Sequence, residues 1–304
     1  MIKYLNTYIL QYTNHNAMKQ QIIDDLSILL LRNGFLVKTI KGCFDVLARR
    51  DSNILLIKVL EDANALSNTS ITYMKNIAST IKATPLIISQ KSGSELKDNV
   101  VYTRLGIYTI NFDTFKNFLN NKPLFITSNK AGLTVRIIGK ELKNFREEEN
   151  ISYGYLSKKL GVSNSMVTKY EKEDYLVSFR IANKFYELFG SKIFKPIDLF
   201  YSNLEEEIIR LSKYSTKYEE LGFAARDTKK VPFDIIAKKN KEIILTNIGD
   251  KPKKDLSSMS NLLDADELVI FNRKKPKDIP AISKKDFLKL EEAEELIKIV
   301  KELE

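Results

Sequence analysis

Apolar positions along this chain fall into two rhythms. KQQIIDDLSILLLR from Lys19 and LEEEIIRLSKYSTKYEEL from Leu204 carry hydrophobic residues at helical spacing, whereas Pro85 to Ser89 (PLIIS) and Glu267 to Phe271 (ELVIF) are short continuous apolar runs. Runs of this length, rich in Ile, Val and Leu, suit strands covered by helices. A hairpin is predicted over Pro123 to Ile137, where two β-rich stretches flank Asn129-Lys130-Ala131-Gly132. From about Gly139 to Gly190 the pattern is helical, and Ser191 to Tyr201, containing Pro196, reads as a connector.

The two rhythms recur in the same order at both ends. Gly34-Phe35 matches Gly222-Phe223, and Phe44-Asp45-Val46-Leu47-Ala48-Arg49-Arg50 matches Phe233-Asp234-Ile235-Ile236-Ala237-Lys238-Lys239. Ile54-Leu55-Leu56 matches Ile243-Ile244-Leu245, with one inserted residue after the Gly-Phe match. An amphipathic helix precedes each copy; an apolar strand, a short strand and a helix (YTINFDTFKNFL from Tyr108, AISKKDFLKLEEAEELIKIV from Ala281) follow each. A repeat of this kind implies one ancestral unit used twice. The expected division is an extension (1–17), an α/β module (18–122), a hairpin linker (123–138), a helical unit (139–190), a connector (191–202) and a second, shorter α/β module (203–304). Residues 1 to 17 fit no module, so translation starting at Met18 is an expectation that mass spectrometry of the natural N-terminus would check.

Within the helical unit, a first helix carries Leu142 and Phe145 on one face. Ser152 caps a second helix from Tyr153 to Leu160, with Leu156 and Leu160 at core spacing. Gly161 ends it with the left-handed conformation that a tight turn requires, and Val162 plugs the turn. Ser163 caps a third helix, Asn164 to Lys172, with Val167 and Tyr170 inward, and Ile181, Phe185 and Leu188 form a further core stripe.

In register over about fifty residues, this segment resembles the lambda-repressor-like, Cro-type helix-turn-helix family: Leu156, the small Ser157, Leu160-Gly161-Val162-Ser163, Val167 and Tyr170-Glu171. The resemblance implies that Arg146 and Glu171 form a buried ion pair, and that the third helix enters the major groove. Asn164, Ser165 and Lys169 then become the base readers, Asn pairing with adenine and Lys with guanine. Ser163 and Tyr153 fall where the family contacts phosphates, although Gln is frequent at the Tyr153 position. Lys158, Lys159, Lys172 and Arg180 add backbone charge.

Composition agrees and removes alternatives. The chain has 304 residues, 43% hydrophobic and 29% charged, with a formal net charge of +10. A basic excess favours phosphate-rich partners. One cysteine, Cys43, and one histidine, His15, exclude an internal disulfide and a Cys/His zinc site within one chain. Apolar runs are too short to span a bilayer, no signal peptide stands out, and a cytoplasmic protein with no membrane partner and no cofactor is expected.

The end modules look like the PD-(D/E)xK nuclease fold, which needs two carboxylates for Mg²⁺ and a Lys that helps activate water. Asp45 and Lys58 fit in the first copy, but Leu56 stands where the second carboxylate belongs, leaving Glu61 or Asp62 as substitutes. In the second copy Asp234 persists, Leu245 occupies the carboxylate position and Asn247 replaces Lys58. The expectation is a retained scaffold with vestigial Asp45, Lys58 and Asp234, no metal and no catalysis. Arg49, Arg50, Lys238 and Lys239 are read as solvated strand ends in preference to DNA-holding groups. Taken together, the order of parts (GCFDVLARR, LLIKVL, GVSNSMVTKYE, PFDIIAKK) resembles an archaeal family of helix-turn-helix transcription regulators.

The sequence thus predicts α/β plus all-α architecture, two degenerate nuclease-like modules around a lambda-repressor-like domain. It predicts a sequence-specific double-stranded DNA-binding regulator acting as a homodimer. A Mg²⁺-dependent nuclease targeted by its helix-turn-helix and an antitoxin-like interaction module are the alternatives.

Overall fold

The computed structural model describes residues 2–201 and 211–301, with side chains described from residue 17 onward. It confirms a mixed α/β chain that divides into two compact units: 1–89, 105–107 and 200–304 in one, and 90–104 and 108–199 in the other. This division does not follow the expected module boundaries. The first repeat is split near Ser89, and the two repeats share a single unit.

The first unit opens with α1 (Ile2–Arg32), a helix that starts well upstream of Met18. Then come β1 (Leu36–Thr39), β2 (Val46–Arg50) and β3 (Asn53–Asp62), an antiparallel meander. After β3 the chain forms α2 (Asn68–Ile81) and β4 (Thr84–Ser92), with β4 beside β3. Ser67 caps α2 and Lys82 ends it in the left-handed region.

The second unit contains β5 (Ser94–Glu95), β6 (Val100–Arg104), β7 (Ile107–Ile110) and α3 (Phe112–Leu119), capped by Asn111. It continues with β8 (Ile126–Asn129), β9 (Gly132–Ile137), α4 (Gly139–Glu148), α5 (Tyr153–Leu160), α6 (Asn164–Lys172), β10 (Tyr175–Ser178) and α7 (Phe179–Phe189). The predicted hairpin is β8–β9, yet it is no linker. β9 pairs over Thr134–Ile137 with β10, a strand the pattern did not announce, and Val135, Ile137 and Val177 enter the same core as Leu142, Leu156, Val167 and Phe185. The connector is packed as well, for Ile193 and Leu199 are fully buried and Ile197 N–H donates to the Leu124 carbonyl at 2.7 Å.

In the first unit the second repeat runs α8 (Lys213–Glu220), β11 (Ala224–Asp227), β12 (Ile235–Lys239), β13 (Glu242–Ile248), α9 (Leu256–Leu263), β14 (Asp266–Phe271), β15 (Ala281–Ser283), α10 (Lys284–Lys289) and α11 (Ala293–Lys301). The part of its predicted leading helix over 204–210 lies outside the described residues. Its sheet is β11-β12-β13-β14-β15, antiparallel over the first two pairings and parallel over the last two.

The repeat read from sequence holds bond by bond. Asp45 N–H donates to the Ile57 carbonyl at 2.8 Å, and Asp234 N–H donates to the Thr246 carbonyl at 2.7 Å. One carboxylate oxygen of Asp45 accepts from Val59 N–H and one of Asp234 accepts from Ile248 N–H, both at 2.8 Å. Arg50 reaches the Asn33 carbonyl and lies 4.5 Å from the Phe35 ring centre; Lys239 reaches the Leu221 carbonyl and lies 5.6 Å from that of Phe223. Arg50 and Lys239 are therefore not solvated strand ends, because each ties a strand to the end of the preceding helix segment. Arg49 likewise donates to the Leu262 carbonyl at the end of α9.

The repeats pack reciprocally. α2 lies against β11 and β12, while α9 lies against β1 and β2. One core holds Phe44, Leu56 and Met74 of the first repeat together with Phe233, Leu245 and Met259 of the second. Such mutual exchange is the geometry of a two-fold dimer interface, built here within one chain. At its centre Cys43 N–H donates to the Lys230 carbonyl at 3.1 Å. The approach requires Gly42, because a Cβ there would sit 2.0 Å from that carbonyl oxygen.

Candidate nucleic-acid interface

Three helix caps define the helix-turn-helix. The Ser152 hydroxyl accepts from Tyr155 N–H to start α5, and Gly161 (φ 72°) closes that helix in the left-handed region with its N–H on the Ser157 carbonyl at 2.8 Å. The Ser163 hydroxyl then accepts from Met166 N–H and starts α6. Lys184 on α7 donates to the Leu160 carbonyl at 2.8 Å, satisfying the end of α5. Nothing in the spacing pointed to that last bond.

Behind α6 lies the predicted ion pair. Arg146 Nη2 donates to Glu171 Oε2 at 3.1 Å and Arg146 Nε to Oε1, with both residues buried. The Arg146 pKa is raised, chiefly by these hydrogen bonds. Tyr153 completes the cluster, for its hydroxyl donates to Glu171 Oε2 at 2.9 Å and accepts from Arg146 Nη2 at 3.2 Å. The guanidinium carbon lies 4.2 Å from the Tyr153 ring centre. Tyr153, expected at the phosphates, is exposed at the start of α5 while its hydroxyl engages the buried carboxylate. Its own pKa is raised by the bond to Glu171.

The other face of α6 is polar. Asn164, Ser165, Thr168, Lys169 and Lys172 are all exposed, while Val167, Tyr170 and Glu171 are buried. At 100° per residue the five exposed positions span about 140° of the helix surface. The structure therefore brings the three predicted base readers onto one face and adds Thr168, whose hydroxyl bonds back to the Asn164 carbonyl at 3.1 Å. Ser165 Oγ lies 2.8 Å from Ser163 Oγ, and Lys169 Nζ lies 5.2 Å from the Tyr175 ring centre, so β10 helps hold that lysine. Lys158, Lys159 and Arg180 are exposed.

Two family models match the chain: a PD-(D/E)XK superfamily domain over residues 19–124 and a helix-turn-helix over 142–194. Curated relatives match across nearly their whole length. "Putative HTH-type transcriptional regulatory protein MJ1164" of Methanocaldococcus jannaschii is 31% identical over 94% of this chain and 98% of its own. A relative of the same designation from Pyrococcus horikoshii is 29% identical over 94% and 98%, and one from Thermoplasma volcanium 32% over 83% and 86%. The chain belongs to this archaeal HTH-type regulator family. No solved structure matches it.

In this family member the PD-(D/E)XK domain has a changed centre. One oxygen of Asp45 accepts from Val59 N–H; the other meets Lys19 Nζ at 2.9 Å and Lys58 Nζ at 3.3 Å. Lys58 also donates to the Gly42 carbonyl at 2.8 Å. Its pKa is lowered, mainly by burial, partly offset by Asp45. Leu56, two positions before Lys58, is fully buried. Asp62 accepts from Asn64 N–H at the next turn. In the second repeat Asp234 meets Lys253 Nζ at 2.6 Å, and the Asn247 side chain donates to the Lys251 carbonyl. Among the described residues, no three His, Cys, Asp or Glu side chains cluster to hold a metal. A carboxylate held by two ammonium groups beside a leucine does not fit a divalent cation, which needs several oxygen ligands. No helix of the described residues is long and apolar enough to cross a membrane.

Proposed function

We propose that the chain is a sequence-specific double-stranded DNA-binding transcription regulator that inserts α6 into the major groove. The observation that carries this is the exposed polar face of α6, backed by the buried Arg146–Glu171–Tyr153 cluster. Asn164, Ser165 and Lys169 read bases; Ser163, Lys158, Lys159, Lys172 and Arg180 meet phosphates. Tyr153 serves by holding Glu171 in place. A single unit offers few base contacts, so the chain acts as a homodimer on a palindrome with half-sites about 34 Å apart. The names of the relatives support the regulatory role.

In this reading the second repeat is a further nuclease-like module and neither repeat cleaves DNA. The support is the donor set, since Asp45 and Asp234 are each engaged by lysine and a backbone N–H. Selection from random duplex DNA at fixed salt tests the proposal. The native protein enriches one motif, and Asn164→Ala/Lys169→Ala loses or relaxes it. Equal, motif-free binding by both proteins refutes the base-reading role of α6, and cleavage of the selected duplex with Mg²⁺ or Mn²⁺ refutes the non-enzymatic role.

A further inference from the structure

Where the two repeats meet, a pocket of about 1120 Å³ opens in the first unit, lined by Lys19, Lys41, Lys58, Lys230, Lys253 and Lys254. Lys253 is paired with Asp234 at 2.6 Å, and against the other ammonium groups stand two lining carboxylates, Asp45 and Asp255. Both are already engaged, Asp45 by Lys19, Lys58 and Val59 N–H, and Asp255 by Lys38 at 2.7 Å. Lys41 and Lys230 hold equivalent places in the two repeats, at the crossing of Gly42 over the Lys230 carbonyl, and neither side chain makes a hydrogen bond or ion pair among the described residues. The wall is also strained. Lys230 (φ 58°) and Asp255 (φ 69°) adopt left-handed backbone that non-glycine residues seldom take, a feature concentrated at ligand and functional sites.

We propose that this pocket binds a small polyanion carrying two or more phosphate groups. Among the described residues three of the six ammonium groups, those of Lys19, Lys58 and Lys253, are ion-paired, which leaves Lys41, Lys230 and Lys254 in the same crevice without a paired carboxylate; burial already depresses the Lys58 ammonium, with Lys19 adding to the effect. A chain of phosphates supplies several negative charges close together, matching lysines contributed by both repeats. The volume, about 1120 Å³, lies just above the usual range of small-molecule sites, about 300–1,000 Å³. None of the lining residues belongs to α6, and the proposal does not depend on how α6 acts.

Calorimetric titration of the full-length protein at near-physiological salt tests this, with inorganic pyrophosphate, ADP and a single-stranded oligonucleotide as probes. Pyrophosphate or ADP is expected to bind, and Lys41→Gln/Lys230→Gln to weaken binding at least tenfold. Lys254→Gln, a change in the loop before α9, provides an independent loss. Lys277→Gln/Lys285→Gln, exposed and outside the pocket, leaves affinity unchanged. Tighter binding of ADP than of pyrophosphate assigns a nucleotide; equal binding assigns the phosphate chain alone. No binding at millimolar ligand overturns the proposal, as does equal weakening by the outside pair. An oligonucleotide that binds more tightly than either small probe, and is lost in the same variants, also overturns it.

Discussion

Replacing Gly42 by Ala tests the internal two-fold directly. The added Cβ would lie 2.0 Å from the Lys230 carbonyl oxygen and 3.2 Å from its carbon, both backbone atoms. Relief needs the two repeats to separate locally by roughly 1 Å, and overpacking of this kind costs about 1–3 kcal/mol. The same shift stretches the 3.1 Å bond from Cys43 N–H to the Lys230 carbonyl beyond hydrogen-bonding range. Leaving a buried N–H unpaired adds about 1–3 kcal/mol. A total of about 2–6 kcal/mol, at roughly 2–4 °C per kcal/mol for a unit of this size, predicts a Tm lower by about 5–20 °C. Calorimetry of the full-length chain reads this, with Gly154→Ala as the counterpart. Gly154 lies in α5 with open space where its Cβ would go, so alanine there is neutral or stabilising by up to about 1 kcal/mol. A Gly42→Ala protein melting within about 2 °C of the native one would refute the close backbone crossing and with it the reciprocal packing.

Arg146→Ala leaves Glu171 as a buried charge held only by Tyr153, and a loss of about 3–5 kcal/mol is expected in urea unfolding; a loss below about 1 kcal/mol would show the cluster to be solvated. Burial pushes the Cys43 thiol up to about 12, with the Lys58 charge opposing, so the native protein should resist alkylation at pH 8 until denatured. Because the folded value exceeds the ordinary value of 9.0, this group's contribution to stability is intact below about pH 9 and is lost as pH rises towards 12. Alkylation of the native protein as fast as of the denatured one would contradict this. Arg50→Ala and Lys239→Ala remove the same contacts from the two repeats, a bond to a helix-end carbonyl and a cation facing Phe35 or Phe223. Each should cost about 1–2 kcal/mol by thermal melting; a loss in one repeat with none in the other would break the equivalence.

Much of the binding unit is legible in the sequence because its signals are local. A cap serine acts on an N–H three residues ahead, and Gly161 answers a conformational demand at its own position. The Asp45–Val59 and Asp234–Ile248 bonds are reachable as a repeat because matching residues at matching spacing fold alike. The bond from Tyr153 to Glu171 was not legible in the sequence, because it depends on how far the ring sits from the buried pair, a distance between elements. β10 escapes notice for a similar reason: Tyr175–Ser178 is four residues long, and only its pairing with β9 makes it a strand.

By itself the sequence determined the helix-turn-helix, the caps around α5 and α6, the polar face of α6 and the duplicated α/β pattern, since each follows from periodicity or from residues a few positions apart. Only the tertiary structure decided that the repeats lock together through α2 and α9, that Gly42 sits under the Lys230 carbonyl, and that lysines distant in sequence converge on one pocket. Those outcomes depend on which apolar face meets which. Each amphipathic element records that it has a face to bury, and its partner is selected only when the whole chain is packed.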